Sequence, residues 1–308
     1  MKKLCLAVCV LAATFQSQAA LDLYDSFNYS PTGVQLGNVT SPGWVAYVGG
    51  GVHPTNFAGS LSYPGLQTAS GDNSVQYNGA GAAGVAARNL SQVYNINNAS
   101  TLYYSLTFKV TSISAADWGN TSVNFLNGSF MMGFNQKLQN GTTLAQGDVG
   151  AALLIRTGDP NNVSGTANDF QGYQLGAGVT AVSPGARIFD STHVYLPNDT
   201  LFLVMSYTFG AGASDDVVKL YVDPTPGSLE GANIPVVTTT GQTDIANNQI
   251  SSFFLRNNSV EPTNTQIDDL RIGTTWADVT PAAVPEPSAG AVAGMGILAF
   301  ALIRRLRR

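Results

Sequence analysis

The chain has 308 residues, 14 basic and 19 acidic, for a formal net charge of −5. Six of the basic residues (Lys2, Lys3, Arg304, Arg305, Arg307 and Arg308) sit at the extremities, so the rest sets eight basic against 19 acidic residues, a net −11. With no basic run, the body is excluded from nucleic-acid binding and from electrostatic adhesion to anionic lipid. Both cysteines, Cys5 and Cys9, lie near the start, so the body has no disulfide, thiol nucleophile or cysteine metal site.

Lys2 and Lys3 precede an apolar run from Leu4 to Phe15 and then Ser17-Gln18-Ala19. A charged start, an apolar middle too short to span a bilayer and a small-residue end are the order of a secretory signal helix, cut by signal peptidase after Ala19. Period-two patterning dominates the body from residue 20 onward. Leu102, Tyr104, Leu106, Phe108 and Val110 alternate with polar residues, which predicts a half-buried strand. Leu201 to Phe209 repeats the pattern, with Phe202 and Val204 on the second face. Val218, Leu220 and Val222 alternate between Asp215-Asp216 and Asp223-Pro224 turn signals. Further strands are expected at residues 150–156, 171–176, 234–239, 250–256 and 266–272. No window of twelve residues shows capped helical periodicity. The expectation is an all-β sandwich over residues 20–281, built of many short strands.

Few residues in this body suggest chemistry. The glutamates before Glu286 are Glu230 and Glu261, and both sit in loop-like sequence. No carboxylate pair stands at glycosidase spacing. His53 and His193 are far apart in sequence. Neither lies at a metal-ligand spacing. On regular strand parity Asp268 shares a face with Leu270 and Ile272, and Asp269 points with Ile267 and Arg271. A carboxylate among core residues needs a partner. A structural Ca²⁺ between Asp268 and Asp25 is one reading, and an Asp268 at the strand mouth, solvated or bonded to backbone amides, is the other. Trp44, Tyr47, Trp118 and Trp276 are candidates for a sugar-stacking platform or for packing. Val237-Thr238-Thr239-Thr240 is a single threonine cluster without the repeat that ice binding needs.

At the end, Val284-Pro285-Glu286-Pro287-Ser288 precedes an apolar stretch over 289–303 and the arginines 304, 305, 307 and 308. The prolines stiffen the entry. The stretch reads as a short single membrane helix, with the arginines as a cytoplasmic stop-transfer end. This tripartite tail, over 282–308, resembles the PEP-CTERM sorting signal, also known as the ice-binding protein C-terminal domain. The resemblance implies recognition near Val284, Pro285, Glu286 and Pro287 by an exosortase. It also implies transient inner-membrane anchoring, and then a place at the cell surface or outside, often with exopolysaccharide or biofilm.

The body carries Tyr24-Asp25-Ser26-Phe27-Asn28-Tyr29, Ser60 to Leu66, Tyr104 to Phe108, Asp216 to Pro224, Ile267 to Gly273 and Trp276, in that order. This series resembles the laminin-G/concanavalin-like jelly-roll sandwich, and it implies extracellular polysaccharide as a partner for a non-enzymatic binding protein. The rival expectations are a purely structural matrix protein, a glycan-active enzyme and an ice-binding protein.

Overall fold

In the computed structural model the described residues are 21–39, 43–46, 51–69, 71, 73–77, 84–113, 128–138, 144–158, 172–181, 187–258 and 264–283. They form two antiparallel sheets. The eight-stranded sheet runs β13 (Val237–Thr239), β12 (Val217–Val222), β11 (Thr200–Thr208), β6 (Thr101–Val110), β15 (Thr265–Gly273), β4 (Asn73–Tyr77) and β3 (Thr55–Ala58). In it, β4 pairs with the first half of β15 and β1 (Leu23–Asp25) with the second half. The seven-stranded sheet runs β10 (Ile188–Phe189), β9 (Tyr173–Gly178), β8 (Val149–Thr157), β7 (Ser129–Asn135), β14 (Gln249–Asn257), β5 (Gly84–Asn95) and β2 (Trp44–Ala46).

The two sheets close on one core because each contributes one apolar face. Leu102, Tyr104, Leu106, Phe108 and Val110 of β6 meet Met132, Phe134, Leu153, Ile155, Phe253 and Leu255 of the opposite sheet. Tyr104 packs edge-on against both Phe134 and Phe253. The expected strand at 102–110 is therefore present, but it is not half-buried. Its second face is covered too: Tyr103 packs with Phe202, Tyr221, Trp276 and Leu66, and Ser105 Oγ donates to the Val279 carbonyl. The cover is a layer made of residues 60–69, the loop 223–236 and the C-terminal segment. Its only α-helix among the described residues is the single turn α1 (Trp276–Val279), closed by a capping box between Thr275 and Asp278.

β15 departs from regular parity. Asp268 pairs with Thr107 but Arg271 with Ser105, so three steps on β15 oppose two on β6. The extra residue is Asp269, at φ +53° in the left-handed region that Asp tolerates better than most. The bulge keeps Ile267, Leu270 and Ile272 on the inner face. Asp268 therefore does not share the face of Leu270 and Ile272, as regular alternation predicts. Its carboxylate lies under the covering layer, accepting from the Leu61 amide at 2.8 Å and the Asp269 amide at 2.7 Å.

Candidate functional site

Asp25 and Asp268 are both buried but are not brought together. Asp25 pairs across the ladder with Leu270 and so faces the inner gap. There its carboxylate accepts from the Phe27 amide, the Tyr29 hydroxyl, Trp44 Nε1 and Arg88 Nη1. Four donors, one of them a guanidinium, satisfy this carboxylate without a cation. Asp268 is on the other side of the same sheet, so the pair forms no ion site.

Carboxylates do converge in the β11–β12 hairpin. Ligand oxygens of Asp215, Asp216 and Asp244 lie within 4.8 Å of one another. Backbone donors hold the group: Gly210 N to Asp216 at 2.6 Å, Gly212 N to Asp215 at 2.8 Å and Asp216 N to Asp244 at 3.0 Å. The Tyr207 hydroxyl also donates to Asp216. Burial, and then its two carboxylate neighbours, push Asp216 above the usual carboxylate range against the opposing hydrogen bonds. Glycine at position 210 leaves room for the Asp215 carboxylate, since a Cβ there would lie 2.0 Å from an Asp215 oxygen. The donor set is all oxygen, which suits Ca²⁺.

A group of arginines lies on the outer face of the seven-stranded sheet. β8 and β14 both flank β7 antiparallel, so they run parallel to each other and end at the same edge. Each ends in an apolar run capped by arginine: Leu153-Leu154-Ile155-Arg156 and Phe253-Phe254-Leu255-Arg256. Arg156 lies over the Phe189 ring and Arg256 over the Phe130 ring, each 4.2 Å from the centroid. Arg256 Nη1 donates to Ser129 Oγ and the Phe130 carbonyl, and Arg187 Nη1 to the Gly128 carbonyl. Arg156 Nε donates to Gln174 Oε1 at 2.9 Å. Gly128, at φ +60°, is the hub: a Cβ there would meet Phe189 at 2.6 Å and Arg156 Cβ at 3.0 Å. Burial, then Arg256, lowers the Arg187 pKa, and burial lowers that of Arg156. Both remain cations at neutral pH. All three arginines are half-buried, with Val85, Ala87, Leu154 and Phe254 as an apolar floor beside them. Sequence reading passes over this group. The signal that points to it is the shared ending of two strands one strand apart.

A second polar group surrounds Asp190, which is 1% exposed. It accepts from the Thr192 and His193 amides, the Thr192 and Tyr195 hydroxyls, and lies 2.7 Å from His193 Nδ1. Burial pushes Asp190 up, but these hydrogen bonds outweigh it and hold the carboxyl below the usual range. His53 is buried far from this group in the chain, with Nδ1 2.9 Å from the Val85 carbonyl.

The remaining expected site residues are scattered or outside the described residues. Trp44 belongs to the inner core and Trp276 to the covering layer of the other sheet, so they make no common platform. Tyr47, Trp118, Glu261, the signal-cleavage residue Ala19, the sorting residues Val284, Pro285, Glu286 and Pro287, and the arginines 304, 305, 307 and 308 lie outside the described residues. Thr239 is buried while Thr238 faces solvent, so β13 presents no threonine array. Among the described residues no helix is long and apolar enough to cross a membrane.

No family model and no curated protein matches this chain. Solved structures with a similar strand arrangement include the endo-β-1,4-glucuronan lyase from the fungus Trichoderma reesei, at 13% identity over 85% of this chain and 99% of that one, TM-score 0.41. Alginate lyase Aly36B matches at 12% identity over 82% and 97%, TM-score 0.43. The exoplasmic/lumenal domain of VIP36 in its Ca²⁺/Man-bound form matches at 10% identity over 85% and 98%, TM-score 0.41.

Proposed function

We propose that the protein is exported, sorted through its C-terminal tail by an exosortase, and binds a carboxylate-bearing extracellular polysaccharide without cleaving it. The observation that carries the binding part is the convergence of Arg156, Arg187 and Arg256 around Gly128 over aromatic rings. Guanidinium groups recognise carboxylates in a planar, bidentate manner. The net charge of −11 on the chain without its basic extremities opposes a polyanion only at long range. Physiological salt screens that field over about 8 Å, which leaves the local guanidinium groups to decide. The laminin-G/concanavalin-like kinship and surface localisation belong to this reading. A structural Ca²⁺ belongs to it too, at Asp215, Asp216 and Asp244 rather than at Asp25 and Asp268.

The test is binding of the protein to a soluble polyuronate and to a neutral glucan of similar length, read by calorimetry. Binding to the polyuronate alone is expected. Arg156→Gln and Arg256→Gln should each weaken it roughly ten- to a hundredfold, the weight of one charge-assisted hydrogen bond or two. Equal affinity for the neutral glucan, or unchanged affinity in both variants, overturns the site. Shortening of the polymer during incubation overturns the non-enzymatic part. Replacement of Glu286 tests the sorting part, since loss of processing in the native host is expected.

A further inference from the structure

We propose that the loop 223–236 is a membrane-contacting foot, which rests a lipid bilayer against Leu229 and Ile234 while the C-terminal tail holds the protein in place. The proposal rests on the tail-sorting part of the function proposed above, with the tail inserted in the membrane before it is processed. It adds a second point of contact to a chain otherwise expected to touch membrane only through its tail.

Leu229 is 81% exposed and Ile234 89%, the two largest values among the exposed large apolar residues described. Single exposed apolar side chains are ordinary. These two differ in being displayed by one rigid loop. Asn233 ties it internally, its side-chain amide donating to Ser228 Oγ and the Leu229 carbonyl and its carbonyl oxygen accepting from the Thr225 amide. Trp276 Nε1 donates to the Ser228 carbonyl and fixes the loop to the covering layer. The loop carries two charged residues, Asp223, whose carboxylate accepts from the Phe202 amide at 2.8 Å, and Glu230. The Glu230 carboxylate is turned inward, accepting from the Tyr103 and Tyr221 hydroxyls at 2.8 and 2.6 Å, with Lys219 Nζ 3.6 Å away. Both carboxylates are thus engaged by donors of the sheet, and the large apolar side chains that the loop holds out are Leu229 and Ile234, as a lipid contact requires.

The position of the chain exit selects a bilayer as the occupant. The C-terminal segment leaves over the same face: Leu66 bridges to Ala282, and the Ala283 amide donates to the Gly65 carbonyl. Gly227 touches this segment. Its amide donates to the Thr280 carbonyl at 2.7 Å, and a Cβ on it would lie 2.7 Å from that of Ala282. Leu229 comes two residues later. From Ala283 to the apolar stretch that begins at Ala289 there are five residues, Val284 to Ser288. Five residues span at most about 18 Å. A tail inserted from Ala289 therefore brings the bilayer surface to this face, where the loop stands beside the exit.

The experiment uses the full chain with Cys5→Ser and Cys9→Ser, reconstituted into phosphatidylethanolamine–phosphatidylglycerol vesicles. A single cysteine replaces Leu229, Ile234 or, as control, Val45, and carries a polarity-sensitive fluorophore. Val45 pairs with Ala87 on the outer face of the other sheet and is 39% exposed. Flotation with the vesicles is measured first, then emission and quenching by a nitroxide-bearing lipid. Labels at 229 and 234 are expected to shift to the blue and lose intensity to the lipid quencher, while the label at 45 does neither. Flotation without a shift at 229 and 234 overturns the foot alone. Failure to float overturns the anchoring reading and the foot with it. A blue shift that appears without vesicles and grows with protein concentration assigns the loop to a second copy of the chain and also overturns the proposal.

Discussion

The carboxylate of Asp25 on β1 and the guanidinium of Arg88 on β5 meet at 2.8 Å across the gap between the two sheets. The side chains are 5% and 19% exposed, so water screens the pair little. Trp44 Nε1, on β2, joins the same oxygen at 2.7 Å, which makes Asp25 a polar tie from one sheet to two strands of the other. Replacing Asp25 by Ala strands a half-buried guanidinium, a buried tyrosine hydroxyl and an indole N–H and should cost about 3 kcal/mol. Arg88→Met leaves Asp25 its neutral donors and should cost less. Urea unfolding of both variants measures the order, and an equal or larger loss in Arg88→Met contradicts this account of the tie.

Calcium should raise the melting temperature through the hairpin cluster. An ion at a hundred times its dissociation constant adds about 2.7 kcal/mol by mass action. At roughly 2–4 °C per kcal/mol for a domain of this size, the shift is about 5–10 °C. Asp244→Asn should abolish the difference between Ca²⁺ and chelator, and Asp268→Asn should preserve it. Gly210→Ala is the finer probe, because the nearest atoms its Cβ would meet all belong to the exposed Asp215 carboxylate, which it displaces. It should remove the calcium response while leaving the chelated melting temperature nearly unchanged. Identical melting curves with and without Ca²⁺ in the unmodified protein reject the ion.

The bulge at Asp269 makes an unusual prediction about deletion. Without Asp269, β15 reads Ile267, Asp268, Leu270, Arg271, Ile272, which alternates regularly and fits β6 from Thr107 to Ser105 with no extra step. The deletion loses the acceptor for the Tyr24 hydroxyl at 2.7 Å and the Ala69 amide at 3.2 Å, the amide that donates to Asp268, and the buried carboxylate 3.5 Å from Arg271 Nη2. It also removes a left-handed residue. Stranding the buried Arg271 guanidinium costs about 3–5 kcal/mol, and the relief of about 1 kcal/mol offsets only part of it. The deleted protein should still unfold cooperatively, at a clearly lower urea midpoint. Deleting Ser105 from β6 should instead abolish folding, because every residue on one side of it changes face. Collapse of both variants rejects the parity assignment.

The strands legible in the sequence are those whose two faces differ in chemistry. β6, β11 and β12 alternate clearly, since their inner positions are large and apolar. β7 escapes a sequence reading because all seven of its residues are buried, leaving no alternation. β5 escapes it because its inner and outer positions near Gly84 are both small, Ala86 and Ala87 among them. The expected strand over 234–239 begins only at Val237. Ile234 resembles a strand residue because it is apolar, and it is instead held out in water. Of the expected ion ligands, Asp25 is visible as an acidic residue, but its partners Trp44 and Arg88 lie 19 and 63 residues away, beyond any local pattern. Asp215 and Asp216 read locally as turn signals, and Asp244 joins them only through the fold.

Acid should weaken the fold in part through Asp190. Its folded pKa is depressed: burial raises it, but donors from Thr192, Tyr195 and His193 outweigh that. For a depressed acid the unfolded chain holds more protons between the two pKa values, so stability rises with pH across that window. The contribution is thus complete above the ordinary carboxylate value near 3.9 and is lost as pH falls through the lower folded value. Asp216 and Asp223 act in the opposite sense, since burial raises both and the folded state takes up their protons first. The acid limb of the wild-type curve is therefore a composite, and the difference between wild type and Asp190→Asn isolates one group. That difference should be about 2 kcal/mol at pH 7, the weight of a charge-assisted hydrogen bond. It should stay level down to about pH 4 and shrink below it. Urea unfolding of both proteins between pH 7 and pH 2 measures it. A difference that holds constant to pH 2 means that the Asp190 carboxylate has no special stabilisation in the folded state. A difference that shrinks above pH 5 means that its pKa is raised and the hydrogen bonds do not outweigh burial.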